Sequence, residues 1–288
     1  MIGRRPIDLH LHTTASDGVL SPAELVELAR RSRLSAIAVT DHDTVAGVDE
    51  AFQAGSAAGL EVVPGVEISV DHPVGSMHML GLFIDHRDAS FRHWLEDLCR
   101  SRLRRYPLIV KKLQSLGVEI TVGEVEAEAG ESVIGRPHIA RVLVATGAVR
   151  DMEEAFRRYL GEEGAAYVPR ERVDSSLAIS RIHQAGGLAV LAHYTTCCPG
   201  EGKPAVRALL ERLCSQGLDG LETFYHSFTP DEHYQAVELA HRFDLLEAGG
   251  SDFHGPLRPG FLLGRRLAVP RRVLNELKRG LRRREAGA

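Results

Sequence analysis

The sequence predicts an α/β protein built on a parallel sheet or barrel. Three observations predict it. Strand and helix patterns alternate through the opening segment, and the same alternation resumes after a purely helical stretch. Histidines and carboxylates then recur where the predicted strands end, which in a barrel of parallel strands is one common face.

Ile7 to His12 alternates and is rich in apolar residues, so it reads as a strand. Ser21-Pro22-Ala23-Glu24 opens a helix, with serine at the N-cap, proline at the first helical position and glutamate placed to close a capping box. Ala36 to Thr40 is the second strand. It leads through Asp41-His42-Asp43-Thr44 into a helix from Val48 to Ala58, which Gly59 ends. Glu61 to Val70 is the third strand, and an Asp71-His72-Pro73-Val74-Gly75 turn returns it to Met77 to Phe83. From about Asp88 to Val168 the pattern is helical. It holds a long basic helix through Arg100, Arg104 and Lys111, a stop at Gly117, and helical segments around His138 and Phe156. Residues 88–168 are therefore expected to be a helical insertion between barrel segments 1–87 and 169–288. Strands follow at Leu188 to His193, Gly220 to Tyr225 and Leu245 to Gly250, with helices near Ser175–Ala185, Ala205–Gln216 and Asp231–Phe243. A basic tail, Arg271 to Arg284, comes last. No internal repeat or low-complexity linker is present.

Composition narrows the function classes. The chain has 288 residues, 44% hydrophobic and 26% charged, with a formal net charge of −4. These are the values of an ordinary soluble globular protein, and its surface as a whole is not built to attract polyanions. The start has no signal-peptide pattern, and no apolar run approaches the ~20 residues of a membrane helix. The four cysteines, Cys99, Cys197, Cys198 and Cys214, include no CxxC pair, which argues against a disulfide framework or a thiolate zinc site. The expectation is a cytoplasmic protein with no membrane association and no obligate protein partner.

The residues able to carry chemistry fall on a repeated position. His10-Leu11-His12 ends the first strand, and its period of two points both imidazoles the same way. Asp17 follows in the adjoining loop. His42 ends the second strand, Glu67 lies on the third, His78 on its return strand, and His193 at the end of a later one. Ser251-Asp252-Phe253-His254 supplies another pair two apart. A lone histidine at any one of these places reads as an ordinary strand-end residue. Six histidines and three carboxylates at one mouth read as ligands, since left unpaired they would repel or demand other partners. Nine are too many for one ion and suit two or three divalent transition metals sharing a carboxylate. Imidazole plus carboxylate without thiolate fits manganese, iron or zinc; manganese is the expected ion, with zinc or iron as alternatives.

These motifs resemble those of the PHP (polymerase and histidinol phosphatase) family. Asp8-Leu9-His10-Leu11-His12-Thr13-Thr14-Ala15-Ser16-Asp17-Gly18 is similar to its first motif. Thr40-Asp41-His42-Asp43, Gly65-Val66-Glu67-Ile68-Ser69, Ala192-His193 and Ser251-Asp252-Phe253-His254 resemble the others in order. The resemblance implies a distorted (β/α)7 barrel with a trinuclear metal site. By it, His10, His12, Glu67 and Asp252 would hold one ion, Glu67, His78 and His193 a second, and Asp17, His42 and His254 a third. Glu67, Asp252 and His254 would form the catalytic centre. The likeness is nearer to the subgroup acting on nucleotide phosphates, whose helical insertion carries a segment similar to Gly135-Arg136-Pro137-His138-Ile139-Ala140. That subgroup cleaves the 3′-phosphate of nucleoside 3′,5′-bisphosphates, and some members remove nucleotides from RNA ends. One departure is that His193 is followed by Tyr194-Thr195-Thr196-Cys197-Cys198-Pro199, where the family commonly has proline next.

The expected reaction is thus phosphate-ester hydrolysis by water activated between bridging cations. The expected substrate is a small nucleotide phosphate, with short RNA as a second candidate. Arg136 and His138, at an apparent helix start, are the expected phosphate seat. Asp252, Asp41 and Asp43 are candidates for orienting ligands or relaying protons, and Tyr194 and His226 for the general acid. The basic runs Arg100–Lys112 and Arg271–Arg284 are expected to be solvated helix faces. Another phosphatase of the family, similar to histidinol phosphatase, is the alternative within this chemistry, and two rivals stand outside it. One is a non-catalytic binding module with structural metals, against which the full ligand set counts. The other is an amidohydrolase, which the lack of lysine near the strand ends disfavours.

Overall fold

Alternating apolar segments pair side by side into seven strands in chain order. They are β1 (Ile7–Asp8), β2 (Ala36–Val39), β3 (Glu61–Val70), β4 (Met77–Leu82), β5 (Leu188–Leu191), β6 (Gly220–Tyr225) and β7 (Leu246–Gly250). The computed structural model describes residues 5–72, 77–130, 132–169, 173–198, 202–255, 263 and 267–287. β1, β2 and β3 are parallel, as are β5, β6 and β7. β4 runs antiparallel to both of its neighbours. The two outer strands meet where the Leu9 amide donates to the Gly249 carbonyl at 3.1 Å and that of His12 to Phe253 at 3.0 Å. This nearly closes a seven-stranded barrel, the distorted (β/α)7 form expected from the sequence.

Close approach at that seam needs glycine. A Cβ on Gly250 would lie 2.3 Å from the backbone nitrogen of His10. β1 is shorter than the predicted Ile7 to His12 because side chains interrupt the ladder beyond Asp8. The His10 amide bonds the Asp8 carboxylate at 3.3 Å and the Leu11 amide bonds the Thr40 hydroxyl at 3.1 Å.

Side chains sort by the two-residue period of a strand. Ala36, Ala38, Leu80, Leu82, Leu188 and Val190 belong to the inner core. Ile37 and Val39 face outward against helices α1 (Pro22–Arg31) and α2 (Val48–Ala58). The Ser21 capping box and the Gly59 cap, φ 65°, stand where the sequence placed them. The predicted 71–75 turn lies partly outside the described residues.

Between β4 and β5 come α3 (Ala89–Ser115), α4 (Val122–Ala129), α5 (Arg136–Ala145), α6 (Met152–Ala155) and a π turn at Phe156–Leu160. They share a core of their own around Ile109, Leu113, Val125, Ile139 and Leu143, while Phe91 and Leu95 at the start of α3 pack on the barrel. The chain then runs through α7 (Ser175–Gln184), α8 (Gly202–Ser215) and α9 (Pro230–Arg242). The basic tail is α10 (Arg271–Gly287), and it is not a wholly solvated face. Val273, Leu274 and Leu277 join the inner core, and Arg271 and Arg284 bond Glu61 and Asp219 at the N-terminal ends of β3 and β6. α10 thus plugs the end of the barrel opposite the strand-end histidines. No helix among the described residues is long and apolar enough to cross a membrane.

Candidate metal centre and active site

Glu67 is the hub of the strand-end cluster. The Glu67 amide bonds the Asp41 carbonyl and its own carbonyl accepts from Asp43, so His42 is held beside it. Its Oε2 lies 3.3 Å from His10 Nε2, 3.2 Å from His12 Nε2 and 3.1 Å from His42 Nδ1. Its Oε1 lies 2.8 Å from His78 Nδ1 and 3.1 Å from His193 Nε2. Asp252 Oδ1 stands 3.2 Å from His12 and 3.5 Å from His10, and Asp17 Oδ1 stands 3.3 Å from His254 Nε2. All nine expected residues are therefore in one constellation. His78 reaches it from the beginning of β4, because that strand is reversed and its N-terminal end is at the mouth. Glu67 lies within β3 rather than at its end.

The backbone is bent to suit. His193, Asp252 and Asp43 have φ of 25°, 51° and 55°. Non-glycine residues held there cost on the order of 1–3 kcal/mol each, and such strain concentrates at functional sites.

Burial is the largest single influence on these groups, yet the facing charges together outweigh it. For His10 and His12 burial alone would favour the neutral ring, but the facing Glu67, Asp252 and, for His10, Glu222 override it. His12 rises to about 9 and His10 well above the usual histidine value. Burial works against the charged forms of Glu67, Asp17 and Asp252, yet the surrounding imidazoles hold all three well below the carboxylate range. This mutual charge does not amount to satisfied hydrogen bonding. Among the described residues His10 Nε2, both ring nitrogens of His12, His42 Nδ1 and Glu67 Oε2 are buried without a hydrogen-bond partner. Such atoms are costly unless something else binds them, and divalent cations fit this donor set.

The ligand atoms form three groups, each within 4.8 Å: His10, His12, Glu67 and Asp252; His12, Asp17, His42 and His254; and His42, Glu67 and His78. The first is the set implied by resemblance, and the second is the implied set plus His12. His193 Nε2 is 3.3 Å from His78 Nδ1, so the implied Glu67–His78–His193 set is also within reach.

Several supporting residues escaped the sequence reading. Glu222 faces His10 Nδ1 at 3.1 Å and accepts the His193 amide at 2.8 Å. The Tyr225 hydroxyl donates to Asp252 Oδ2 at 3.1 Å. Thr13 and Ser16 donate to Asp41, which the sequence did single out, and so fix the loop that carries Asp17. Thr196, in the stretch where the chain departs from the family pattern, lies 3.0 Å from His193 Nδ1.

The cluster floors a cleft of about 250 Å³ whose far wall comes from the helical segment. Arg102, Arg105 and Arg136 line that wall beside Tyr106, Ile109 and Phe156. Arg102 is buried and donates to Asp43 at 2.7 Å. The basic run on α3 is therefore not simply a solvated face. Arg102, Arg105, Tyr106 and Ile109 follow the i, i+3, i+4, i+7 spacing of one helix face, and that spacing was the available signal.

Three expectations are corrected. His138 is 1% exposed, does not line the cleft, and accepts the Gly135 amide at 3.0 Å as a helix cap. Burial, with Arg141 nearby, lowers it to about 4, so it offers no cation to a phosphate. Tyr194 is buried with its hydroxyl on the Glu232 carbonyl, and His226 pairs with Ser227. Neither lines the cleft, whereas Tyr225 does.

Comparison with known proteins agrees with this geometry. The PHP domain model matches residues 8–161. A 5'-3' exoribonuclease of Haemophilus influenzae is 39% identical over 252 residues, covering 86% of this chain and 90% of the relative. A 3',5'-nucleoside bisphosphate phosphatase of Chromobacterium violaceum is 32% identical over 268 residues, 92% of each chain. A solved structure from Bifidobacterium adolescentis, described as a metal-dependent phosphoesterase, superposes with a TM-score of 0.85 at 33% identity over 96% of each chain. The chain belongs to the PHP domain family and is a metal-dependent hydrolase of phosphoester bonds.

Proposed function

We propose that this enzyme removes the 3′-phosphate of nucleoside 3′,5′-bisphosphates, and that short 5′-phosphorylated RNA ends enter the same site. The observation that carries this is the make-up of one cleft, with an imidazole–carboxylate cluster on its floor and three arginines with an aromatic and aliphatic surface on its wall. A bisphosphate needs both ends of such a cleft. The names of the Chromobacterium and Haemophilus relatives support the two substrates respectively.

His10, His12, Asp17, His42, Glu67, His78, His193, Asp252 and His254 would hold two or three divalent cations, manganese foremost, with zinc or iron as alternatives. Cations there would neutralise the phosphate oxygens and make water nucleophilic at neutral pH. Glu67, Asp252 and His254 form the catalytic centre in this reading. Tyr225, whose hydroxyl donates to Asp252, is placed to hold a proton close to the leaving oxygen. Arg136 takes the non-reacting 5′-phosphate, aided by Arg102 and Arg105. Its own Nη1 donates to the Leu160 carbonyl at 3.0 Å and its guanidinium lies over Phe156, which fixes its direction. Residues 88–168 would act as an inserted domain supplying this seat. We place the reaction in the cytoplasm, consistent with four cysteines outside any disulfide.

The test is kcat/KM for a nucleoside 3′,5′-bisphosphate and for the matching 3′-monophosphate, with wild type and Arg136→Ala. The bisphosphate should be strongly preferred. Losing charged hydrogen bonds of roughly 1.5–3 kcal/mol should shrink that preference by roughly ten- to a hundredfold without changing metal content. Equal efficiency on both substrates in wild type would sink the proposal.

A further inference from the structure

We propose that Glu222 is a positioning residue for the metal centre. It fixes the His10 ring so that Nε2 faces the cations, and it ties that ring to the backbone of His193. This role rests on the ion-holding function proposed above.

None of the nine expected ligands lies on β6, yet β6 enters the site twice. A register shift between Glu222 and Phe224 breaks the strand's alternation. Residues three apart on an unbroken strand face opposite sides. Here Glu222 and Tyr225 both reach site residues, His10 and Asp252. A bulge that re-aims side chains in this way is a recurrent device beside active sites.

Glu222 is fully buried, so its two oxygens need donors. They take two, from the segments that follow β1 and β5. Oε2 accepts the His193 amide at 2.8 Å, and Oε1 lies 3.1 Å from His10 Nδ1. A carboxylate only accepts, so His10 Nδ1 must carry the hydrogen. In the neutral ring that binding a cation requires, the lone pair is then on Nε2, which lies 3.3 and 3.5 Å from Glu67 Oε2 and Asp252 Oδ1 and makes no hydrogen bond. Partners of this kind set the tautomer and orientation of metal-ligating imidazoles.

An amide in place of Glu222 cannot meet both demands. If its oxygen accepts the His193 amide, its NH2 faces His10 Nδ1 and forces the ring hydrogen onto Nε2, against the cation. If it turns over, two donors meet at the His193 amide in a buried place, costing a hydrogen bond.

The experiment measures zinc and manganese binding by metal-free wild type, Glu222→Gln and Thr223→Val, with stoichiometry by elemental analysis and affinity by chelator competition. Thr223 is buried on the same strand and bonds Glu247, so it controls for general disturbance of β6. Glu222→Gln should weaken one binding step roughly 10–100-fold, with Thr223→Val near wild type. Wild-type affinity in Glu222→Gln, or equal weakening in Thr223→Val, overturns the role of Glu222 alone. A wild type that takes up no ions overturns the metal reading as well. Should Glu222→Gln not fold, nitrogen NMR of zinc-loaded wild type decides. A protonated Nδ1 with zinc on Nε2 of His10 is expected, and the reverse refutes the proposal.

Discussion

His138→Gln separates a helix cap from a substrate contact. Glutamine at the third helical position keeps the acceptor for the Gly135 amide but does not titrate. In the folded protein His138 is lowered from 6.5 to about 4. Between those values the unfolded chain binds a proton that the folded chain refuses. The contribution of the neutral ring is therefore fully present above pH 6.5, is lost progressively as pH falls, and levels off below about 4. A shift of this size corresponds to about 3 kcal/mol. The assay is urea unfolding of both proteins, freed of metal by chelator, across that pH range. Titrating groups not coupled to His138 cancel in the difference between them. Wild type should lose about 3 kcal/mol relative to His138→Gln on acidification, and the two should agree within about 1 kcal/mol above pH 6.5. Parallel pH profiles would refute the buried neutral cap. Turnover should stay within a few-fold of wild type. A loss beyond roughly tenfold in kcat/KM in a stably folded mutant would return His138 to the substrate site.

Three further outcomes are expected. Glu67→Gln removes one charge facing five imidazoles, so both metal content and turnover should fall, turnover by more than roughly 100-fold, since even the partners of ligands cost 10–100-fold. Retained metal and activity would count against Glu67 as hub. His86→Ala, whose ring faces Asp49 away from the cleft, should leave turnover within a few-fold, read in the same assay. Gly250→Ala forces a Cβ onto the His10 backbone and should destabilise the fold by roughly 1–3 kcal/mol in chemical denaturation, with reduced metal uptake; an unchanged midpoint would mean the seam can open.

What the sequence determined by itself was local. Ser21 with Pro22 and Glu24 satisfies amides within one helical turn, Gly59 supplies a left-handed cap, and the two-residue period of His10 and His12 sets their common direction. Each is decided by neighbours a few residues away. The candidate ligand set was legible for a related reason, since nine side chains able to bind metal, recurring near strand ends, have few other uses. Tertiary structure decided what depends on partners far along the chain. Glu222 is 212 residues from His10, and Arg102 is 59 from Asp43, so no spacing rule couples them. His138 shows the difference at one residue. Its place at a helix start suggested an anion site, and that same place allowed the ring to turn back and cap the helix. Burial by the surrounding fold then kept it neutral and out of the cleft. A side chain's bonding capacity is written in the sequence, but which partner claims it, and with what charge, is set by the solvent exclusion and distances that only the folded chain creates.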